Sequence, residues 1–383
     1  MRSSSGNNIK YTLFGESHGD EIGIEIFGIK SGFEIDFEKI DYQLRLRQGG
    51  EKYNTSRQEK VEYTIKSGVD KNRTNGEKIV IVFKNEKQKS KDYNKLKHQP
   101  RPGHADYVAM TKYKKFISGG GHFSGRLTAP LVFLGQLCMQ LIKKEYPDFE
   151  VISHINKFQN FEDISYYEIR KELAKNVNDI EQVILLRSAL HKRLLACRGL
   201  FFEESKFEKY QLSTEDLINK KTTAGGEIET IIIGSPSLVG EPFFDTIEGC
   251  FSKALYSIPS VKGVSFGYGN SFINTKGHLV KDEIKYFDNN SLYTLFNYNG
   301  GINGGITNGE DIVFKTVLKP IASIMQEQLT YNNLLNEVMP LTIGGRHDVT
   351  IVNRIIPVIE SVVCIEFYDL ILESKKINNQ IVR

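Results

Sequence analysis

Short apolar runs along the chain predict a series of buried or half-buried β-strands. Each run spans four to seven residues, is rich in Ile, Val, Tyr or Phe, and lacks the spacing of an amphipathic helix. Runs of this kind are typical of strands, which are usually shorter than helices. The predicted strands lie at residues 11–14, 22–27, 79–83, 228–233 and 312–318.

Four stretches have the spacing and the end signals of α-helices. Asp36 is placed to cap a helix over residues 37–47. Pro130 suits the first turn of an apolar helix that ends before Pro147. The other two predicted helices cover residues 248–258 and residues 357–372, the last of them opened by Pro357 and followed by a frayed tail.

The charged segment from residue 148 to residue 221 is poor in glycine and helical in pattern, and we predict a divergent peripheral helical segment there. No internal repeat and no change of composition marks a domain boundary, so residues 1–383 are predicted to form a single domain. Helices and strands alternate with few clean β-α-β units. This favours an α+β fold over a doubly wound parallel sheet.

The composition is that of a globular protein with a large core. Of the 383 residues, 40% are hydrophobic, and a formal net charge of +3 does not indicate nucleic-acid binding. No apolar run reaches the length of a membrane span, and the polar start of the chain lacks the apolar region of a signal peptide. The four cysteines are widely spaced, as in proteins of a reducing compartment. We therefore expect a cytoplasmic protein without nucleic-acid or membrane partners.

Half of the eight histidines lie in glycine-rich loops, and these are His18, His104, His122 and His347. Glycine lets a backbone approach a ligand closely, and imidazole is readily poised for proton transfer near neutral pH. Asp106 can orient the ring of His104. Ser17 is expected to point away from His18, because adjacent side chains in an extended loop lie on opposite sides. His18 is therefore better suited to act as an acid on a phosphate than as the base of a serine nucleophile.

Two long glycine runs, residues 118–126 and 300–309, can bring backbone N–H groups close to an anion. Neither has the context of a Rossmann fingerprint or of a P-loop. His347 followed by Asp348 would suit a metal hydrolase, but no other histidine at helical spacing supports a metal. Cationic side chains suited to phosphate or carboxylate lie in or beside the glycine-rich loops, and these are Arg45, Arg47, Lys52, Arg57, Arg101, Arg126 and Arg346.

Taken together, these motifs resemble those of the chorismate synthase family. They follow the family's order from about residue 11 to residue 372, and only residues 148–221 match weakly. The matching segments are residues 14–19, 47–50, 67–69, 85, 90–93, 101–106, 119–121, 240–242, 261–263, 300–309, 319–320 and 345–348.

The resemblance implies a reaction, a cofactor and an assembly. The substrate 5-enolpyruvylshikimate 3-phosphate loses phosphate and a ring proton in an anti-1,4-elimination that gives chorismate, the last step of the shikimate pathway. The family needs reduced FMN, although the reaction has no net redox change. The implied fold is a sandwich of helices between antiparallel sheets, and the implied assembly is a homotetramer.

The same resemblance implies roles for individual residues. His18 protonates the departing phosphate, His104 protonates the reduced flavin or stabilises its charge, and Asp348 acts with the flavin N5 as the ring proton leaves. Positions that match flavin contacts are His122, Phe123, Ser124, Pro259, Ser260, Gly304, Lys319, Pro320, Ile321, Ala322, Ser323 and Arg346. Positions that match contacts to the phosphate of the substrate or of a nicotinamide nucleotide are Arg47, Lys52, Arg101 and Arg126.

The chain departs from the usual family pattern at some of these positions. His122 and Lys52 stand where arginines are usual, and Leu46 replaces the first residue of an arginine pair. Because the acid–base residues are kept, we expect an active enzyme with altered ligand affinity. No dinucleotide fingerprint or reductase domain accompanies the motifs. We therefore expect an external flavin reductase, with NADPH as an indirect reductant.

Two other functions stay open from the sequence. A non-enzymatic flavin-binding or phosphate-binding protein derived from this family would hold its ligand without turnover. A metal phosphohydrolase would contain a stoichiometric metal ion.

Overall fold

The computed structural model of the protein describes residues 3–48, 62–85, 95–114, 118–175, 177–197, 199–288, 291–344 and 348–381. The chain forms two compact units, each drawn from three stretches of sequence. The first unit comprises Met1–Leu134, Gln211–Gly225 and Lys319–Val358. The second unit comprises Gly135–Tyr210, Gly226–Leu318 and Ile359–Arg383.

Strands and α-helices are numbered along the chain. The strands are β1 (Ser4–Ser5), β2 (Lys10–Gly15), β3 (Glu21–Phe27), β4 (Tyr63–Ser67), β5 (Val69–Asp70), β6 (Arg73–Thr74), β7 (Ile79–Lys84), β8 (Glu150–Phe158), β9 (Phe161–Glu162), β10 (Gly226–Ile233), β11 (Val261–Phe266), β12 (Ile284–Asp288), β13 (Ser291–Thr294), β14 (Ile302–Asn303), β15 (Ile306–Thr307), β16 (Ile312–Leu318), β17 (Gln328–Asn332) and β18 (Glu337–Leu341). The helices are α1 (Phe37–Gln48), α2 (Asp106–Tyr113), α3 (Thr128–Glu145), α4 (Tyr166–Ala174), α5 (Ile180–Ala196), α6 (Ser205–Asn219), α7 (Ile247–Leu255) and α8 (Val352–Ile381).

The first unit is built on a five-stranded antiparallel sheet with the order β1-β2-β3-β7-β4. Ile22, Ile24 and Ile26 of the central strand β3 are at most 2% exposed. Residues two apart in a strand share a face, so the alternation that predicts the strand also builds the core. Burying each such side chain stabilises the fold by about 1.5–3 kcal/mol.

Helix α1 begins at the predicted cap. Asp36 Oδ1 accepts a hydrogen bond from the N–H of Lys39 at 3.2 Å, which satisfies one of the unpaired donors at the helix start. Ile40 and Leu44, one turn apart, are buried. The buried face fixes the orientation of α1 and therefore the position of Arg47 in its last turn.

The second unit is built on another five-stranded antiparallel sheet, with the order β11-β16-β10-β8-β9. Ile231 of β10 lies opposite Val313 of β16 on one side and opposite Ile152 of β8 on the other. These three side chains share a buried cluster with Tyr166 of α4 and Leu190 of α5. Both sheets are antiparallel and are combined with long helices, so the predicted α+β class is confirmed.

All five predicted strands are present, and three predicted helices are confirmed within a few residues as α1, α3 and α7. The fourth helix, α8, is longer than predicted. It begins at Val352, so Pro357 lies inside the helix, and it continues to Ile381 instead of fraying after residue 372. The extension is held in place because Ser374 is buried and Lys375 forms an ion pair with Glu145.

The prediction of a peripheral helical segment over residues 148–221 is wrong for its first part. Glu150–Phe158 forms β8, which pairs with β10 inside the second sheet. The strand was missed because its polar side chains are buried and bonded within the protein, as His154 is to Asp163 at 2.8 Å. The later part of the segment is helical, as α4, α5 and α6. The assignment of one domain to the whole chain stays a prediction.

Among the residues that the structure describes, one helix has the length and hydropathy of a membrane span, contrary to the expectation from the sequence. It covers Gly125–Glu145, and 72% of its most apolar window is buried within the protein. A core helix passes the same test, so this helix is weak evidence for a membrane span. The four cysteines are free thiols, and Cys138, Cys250 and Cys364 are buried in helices.

Candidate active site

The first unit contains a glycine-rich turn towards which three of the predicted loops converge. Residues 118–128, here called the glycine turn, consist of two short 3₁₀ helices that lead into α3. Gly120 and Gly121 have φ angles of +89° and +49°, a region that side chains other than glycine rarely adopt. Ser124 Oγ accepts a hydrogen bond from the N–H of Arg126 at 3.3 Å, which fixes the second half of the turn.

The loop that carries His18 joins β2 to β3 and is held in a tight turn. The N–H of Gly19 donates to the carbonyl of Glu16 at 2.9 Å. The side-chain amide of Asn85, just after β7, donates to the carbonyls of Glu16 and Gly19 at 3.1 and 2.8 Å. The sheet of the first unit therefore sets the position of the histidine loop.

Ser17 joins this loop to the glycine turn and also contacts His18. Its N–H donates to the carbonyl of Gly121 at 3.4 Å, and its carbonyl accepts from Arg126 Nη1 at 2.8 Å. Its Oγ lies 3.2 Å from Nδ1 of His18. The prediction that the two side chains point apart is wrong, because the loop is a turn and not an extended segment. Ser17 is only 2% exposed, so it can orient the ring but is poorly placed to attack a ligand.

A buried ion pair orients His104. Its Nδ1 lies 2.7 Å from Asp106 Oδ1. Arg101 donates to both oxygens of the same carboxylate, from Nε at 2.7 Å and from Nη2 at 2.8 Å, and it also donates to Ser323 Oγ at 3.1 Å. The side chains of Arg101 and Asp106 are 6% and 3% exposed. A bidentate arginine–carboxylate pair has a well-defined geometry, and this geometry is passed on to the imidazole.

The Asp106 carboxylate stays ionised although it is buried. Burial alone would raise its pKa, but the hydrogen bonds from Arg101 and His104 outweigh burial and hold the pKa of the Asp106 carboxyl well below its usual range. An ionised Asp106 accepts the Nδ1 proton of His104, which leaves Nε2 on the edge of the ring that faces Gly120. The predicted contact between Asp106 and His104 is confirmed.

The far edge of the His104 ring faces the glycine turn. A Cβ placed on Gly120 would lie 3.6 Å from Cε1 and 3.8 Å from Nε2 of His104. On the other side of the His104 loop, Lys319 Nζ donates to the carbonyl of Gly103 at 2.5 Å. A Cβ on Gly103 would lie 3.9 Å from Cβ of Ala322. Two segments that are distant in sequence, both predicted to take part in the site, therefore lie side by side.

Asp348 is connected to the glycine turn through two arginines. Arg354, in the first turn of α8, forms an ion pair with Asp348 through Nη1 and donates from Nε to the carbonyl of Arg47 at 3.1 Å. Arg47 then donates from Nε to Thr128 Oγ1 and from Nη2 to the carbonyl of Gly125, both at 2.8 Å. These contacts join Asp348 to the same part of the first unit as the two histidine loops.

Known proteins with these motifs match the chain over almost its whole length. The family model of chorismate synthase matches residues 9–372. This chain belongs to the chorismate synthase family. A chorismate synthase from Methanococcus vannielii is 35% identical over 381 residues, which cover 99% of this chain and 98% of that protein. One from Chitinophaga pinensis is 36% identical over 377 residues, or 98% of each chain.

A solved structure titled "Crystal Structure of Chorismate Synthase" matches the fold of this chain with a TM-score of 0.71. The match covers 99% of this chain and 98% of the other at 22% sequence identity. At this identity the match shows the fold alone. It confirms the predicted chorismate-synthase-like fold class, and the family match confirms the resemblance inferred from the motifs.

In this member of the chorismate synthase family, three predicted flavin-contacting residues lie on the glycine turn. His122, which replaces the usual arginine, has its Nε2 at 3.7 Å from Glu16 Oε1. The ring of Phe123 lies 6.5 Å from that of Tyr113, between centroids. Ser124 accepts the hydrogen bond that closes the second half of the turn.

Other predicted site residues are not brought to the turn by the described contacts. Pro259, Ser260 and Gly304 belong to the second unit. There, Ser260 has a φ of +77°, and Gly304, in the β14–β15 hairpin, has open space around its Cα. Lys52 and Arg346 lie outside the described residues, as does His347. Their predicted roles stay predictions.

Two of the predicted phosphate-binding arginines are engaged within the protein. Arg47 and Arg101 are 9% and 7% exposed, and their guanidinium groups donate to protein acceptors. Arg126 also donates to the protein, from Nη1 to the carbonyl of Ser17, but it is only half-buried and lies on the glycine turn itself. Among the described residues of that set, Arg126 is best placed to reach an anionic ligand, whereas the contacts of Arg47 and Arg101 favour a role in holding the site together.

Arg354 is the main residue of this site that the sequence did not indicate. Its contact with Asp348 depends on where α8 begins. The predicted start at Pro357 left Arg354 in a loop, whereas the observed start at Val352 puts its guanidinium beside the carboxylate.

The surroundings of the glycine turn suit a flat, anionic cofactor, and membership of the family implies a requirement for reduced flavin. An added Cβ on Gly125 would meet no described atom within 4 Å, so a ligand can approach the backbone of the turn there. His104 and Arg126 provide donors beside it. Within the described part of the chain, no group of three or more His, Cys, Asp or Glu side chains could hold a metal ion.

Proposed function

We propose that this chain catalyses the reaction of its family, the anti-1,4-elimination of phosphate from 5-enolpyruvylshikimate 3-phosphate to give chorismate. It would then act in the shikimate pathway as a carbon–oxygen lyase. The observation that supports this most strongly is the convergence of the His18 loop, the His104 loop and the Asp348 segment on the glycine turn. Each of the three contributes one of the acid–base groups that the reaction needs.

His18 is proposed to protonate the departing phosphate. Its Nδ1 lies 3.2 Å from Ser17 Oγ, a contact that orients the ring. A proton delivered to the bridging oxygen neutralises the charge that develops on it as the C–O bond breaks. Arg126, beside the same loop, would bind the phosphate by charge-assisted hydrogen bonds, and Lys52 is proposed as a second cation for it.

Asp348 is proposed to assist the removal of the ring proton, and His104 to face the cofactor. The buried Asp106 holds His104 so that Nε2 points to the glycine turn. When protonated, the ring can donate from Nε2 and stabilise negative charge beside it, and when neutral its Nε2 can accept a proton. The chemistry that reduced FMN supplies when bound is electron density for the breaking C–O bond, without net redox change.

The cofactor is proposed to be reduced FMN, bound over the glycine turn and the segment after β16. Because glycines and small side chains border that space, a planar ring can approach the backbone closely. The residues proposed to contact it are His122, Phe123, Ser124, Pro259, Ser260, Gly304, Lys319, Pro320, Ile321, Ala322, Ser323 and Arg346. Arg47 and Arg101 are proposed to hold in place the segments that make these contacts.

We further propose a cytoplasmic homotetramer that receives its reduced flavin from an external reductase, with NADPH as the indirect source of electrons. The motifs contain no dinucleotide fingerprint, which supports an external source.

The test is an anaerobic assay of purified protein with 5-enolpyruvylshikimate 3-phosphate and dithionite-reduced FMN, with H104A as the control variant. We expect chorismate formation that requires the reduced form of FMN and that falls by at least about 100-fold in H104A. If the wild-type protein forms no more chorismate than H104A, the proposed function is refuted. Flavin binding that is independent of substrate, without turnover, would identify a binding protein instead.

A further inference from the structure

Three arginines connect the Asp348 segment to the His18 loop. In each step, a guanidinium donates to the main-chain carbonyl of the next residue in the series. The three hydrogen bonds are Arg354 Nε to the carbonyl of Arg47 at 3.1 Å, Arg47 Nη2 to the carbonyl of Arg126 at 3.2 Å, and Arg126 Nη1 to the carbonyl of Ser17 at 2.8 Å. At one end Arg354 pairs with Asp348, and at the other end Ser17 Oγ contacts His18.

The series spans four separate pieces of the first unit, namely the start of α8, the end of α1, the glycine turn and the loop between β2 and β3. A guanidinium is planar and holds several acceptors at fixed angles, which a lysine ammonium cannot do. Arg47 uses this property most fully, because it donates to Thr128 and Gly125 as well as to Arg126. Since Arg47 is 9% exposed, water competes little for these contacts.

We propose that Arg354 is a positioning residue for the elimination reaction, and that the arginine series fixes Asp348 relative to His18. This inference rests on the proposed function. It assigns Arg47 to the arginine series that holds the site together, rather than to phosphate binding. It assigns Arg354 to holding Asp348 in position.

The geometry explains why such a series is needed. The proton taken from the ring and the phosphate that leaves are on different carbons of the substrate, so the two acid–base groups must be held at a set separation. A misplacement of about 1 Å can lower a rate about 100-fold. The Arg354 and Asp348 side chains are 24% and 16% exposed, so the carboxylate is held mainly by its protein contacts.

The test measures kcat, KM and the primary deuterium isotope effect for Arg354→Gln, using substrate deuterated at the ring carbon that loses its proton. We expect kcat to fall about 100-fold while KM changes less than about threefold, because binding groups are untouched. The isotope effect on kcat should rise, because removal of the ring proton becomes the slow step. A general loss of folding would lower the active fraction without changing the isotope effect.

Arg354→Lys and Arg73→Gln serve as the comparison variants. The lysine keeps the charge but cannot reach Asp348 and the Arg47 carbonyl together. The two readouts are kcat and the isotope effect on kcat, and for this variant kcat should fall and the isotope effect should rise, as for Arg354→Gln. If Arg354→Gln does not fold, Arg354→Lys decides the question by the same two readouts. Arg73 forms an exposed pair with Glu34 in the same unit, and its replacement should change neither readout.

The outcomes separate this inference from the proposed function. If the wild-type protein does not turn over, the proposed function fails. If the wild-type protein turns over and the Arg354 variants keep kcat within about threefold of it, or lose kcat with an unchanged isotope effect, then only the positioning role of Arg354 is overturned.

Discussion

At the scale of single residues, His104 shows how the protein prepares a ring for chemistry. One nitrogen is committed to a buried, ionised carboxylate, and the other edge faces Gly120, which has no side chain to cover it. The first contact fixes the tautomer and the second fixes the direction of approach. Both contacts can be tested separately, because different residues provide them.

Replacing Gly120 with alanine is expected to lower kcat about 10- to 100-fold, because the new Cβ lies 3.6 Å from His104 Cε1 in the space proposed for the cofactor. Gly120 has a φ of +89°, so the change should also cost about 1–2 kcal/mol of stability. Gly32→Ala is the matched control, since its φ is +88° with nothing within 4 Å. It should lose similar stability and no activity. Equal loss of activity in both variants would show that backbone strain, and not crowding, is responsible.

Replacing Asp106 with asparagine is expected to reduce the free energy of unfolding by about 3–5 kcal/mol at pH 7, because Arg101 would be left buried without its counter-charge. The pKa of the Asp106 carboxyl is held low in the folded protein. Its contribution is therefore present above the unfolded pKa of about 4 and is lost as the pH falls through the lower folded value. The difference between the two proteins should shrink below about pH 4.

Urea unfolding at pH 7 and at acid pH measures this effect. Asp216→Asn, which breaks an exposed pair with Lys220, is the control and should change stability by less than about 1 kcal/mol. Wild-type stability in Asp106→Asn at pH 7 would contradict the assigned ion pair.

At the scale of elements, β8 is a core strand with a buried histidine that lies between two carboxylates. His154 is fully buried and contacts Asp163 at 2.8 Å, Glu229 of β10 at 3.1 Å, and the ring of Phe202 at 3.8 Å between centroids. The two carboxylates favour the charged form of the imidazole between them. This cluster joins β8 to β10 and to the segment before α4.

The stability of the protein is expected to fall as the pH rises above about 6.5, partly through His154. Burial would lower the pKa of His154, but the hydrogen bonds that the ring donates to Asp163 and Glu229 outweigh burial and raise it. A raised pKa contributes stability that is complete below the unfolded value of about 6.5 and is lost as the pH rises through the folded value.

Unfolding free energies of wild type and His154→Gln, measured from pH 6 to pH 9, test this. The difference between the two should be largest at pH 6 and should decrease towards pH 9. His278→Gln, at an exposed position, should follow the wild-type curve. A difference that is constant with pH would show that the pKa of His154 is not raised in the folded protein.

Helices α3 and α8 cross closely at Gly135. A Cβ on Gly135 would lie 2.3–2.4 Å from Cβ, Cα and the carbonyl oxygen of Ser361. Alanine in a helix normally stabilises it by about 1 kcal/mol over glycine. Here we expect the opposite, a loss of about 1–3 kcal/mol or more, because the backbones must separate.

Thermal or urea unfolding of Gly135→Ala measures this loss. Gly277→Ala is the control, because nothing lies within 4 Å of its added Cβ and its φ is not positive. If Gly135→Ala proves as stable as the wild type, the close crossing of the two helices is incorrect.

At the scale of the whole molecule, the sequence predicts helices and strands well but predicts contacts between loops that are distant in sequence poorly. The strands were predictable because burial repeats every two residues within one element, as in Ile22, Ile24 and Ile26. The contact of Arg101 with Ser323 joins positions 222 apart in sequence, and no local pattern encodes it. The loops themselves could be recognised as motifs. Predicting the contact of Arg354 with Asp348 would have needed the correct start of α8. Predicting the contact of Ser17 with His18 would have needed the turn conformation of the loop.

The central claim is that loops distant in sequence form one site around the glycine turn. The most direct measurement is a crystal structure of the protein with FMN and 5-enolpyruvylshikimate 3-phosphate. The account predicts the flavin ring over residues 118–126 and the substrate phosphate beside Arg126. It also predicts that His18, His104 and Asp348 each reach one of the two ligands by a hydrogen bond, directly or through one water. Ligands bound elsewhere, or any of the three side chains beyond such reach of both, would contradict it.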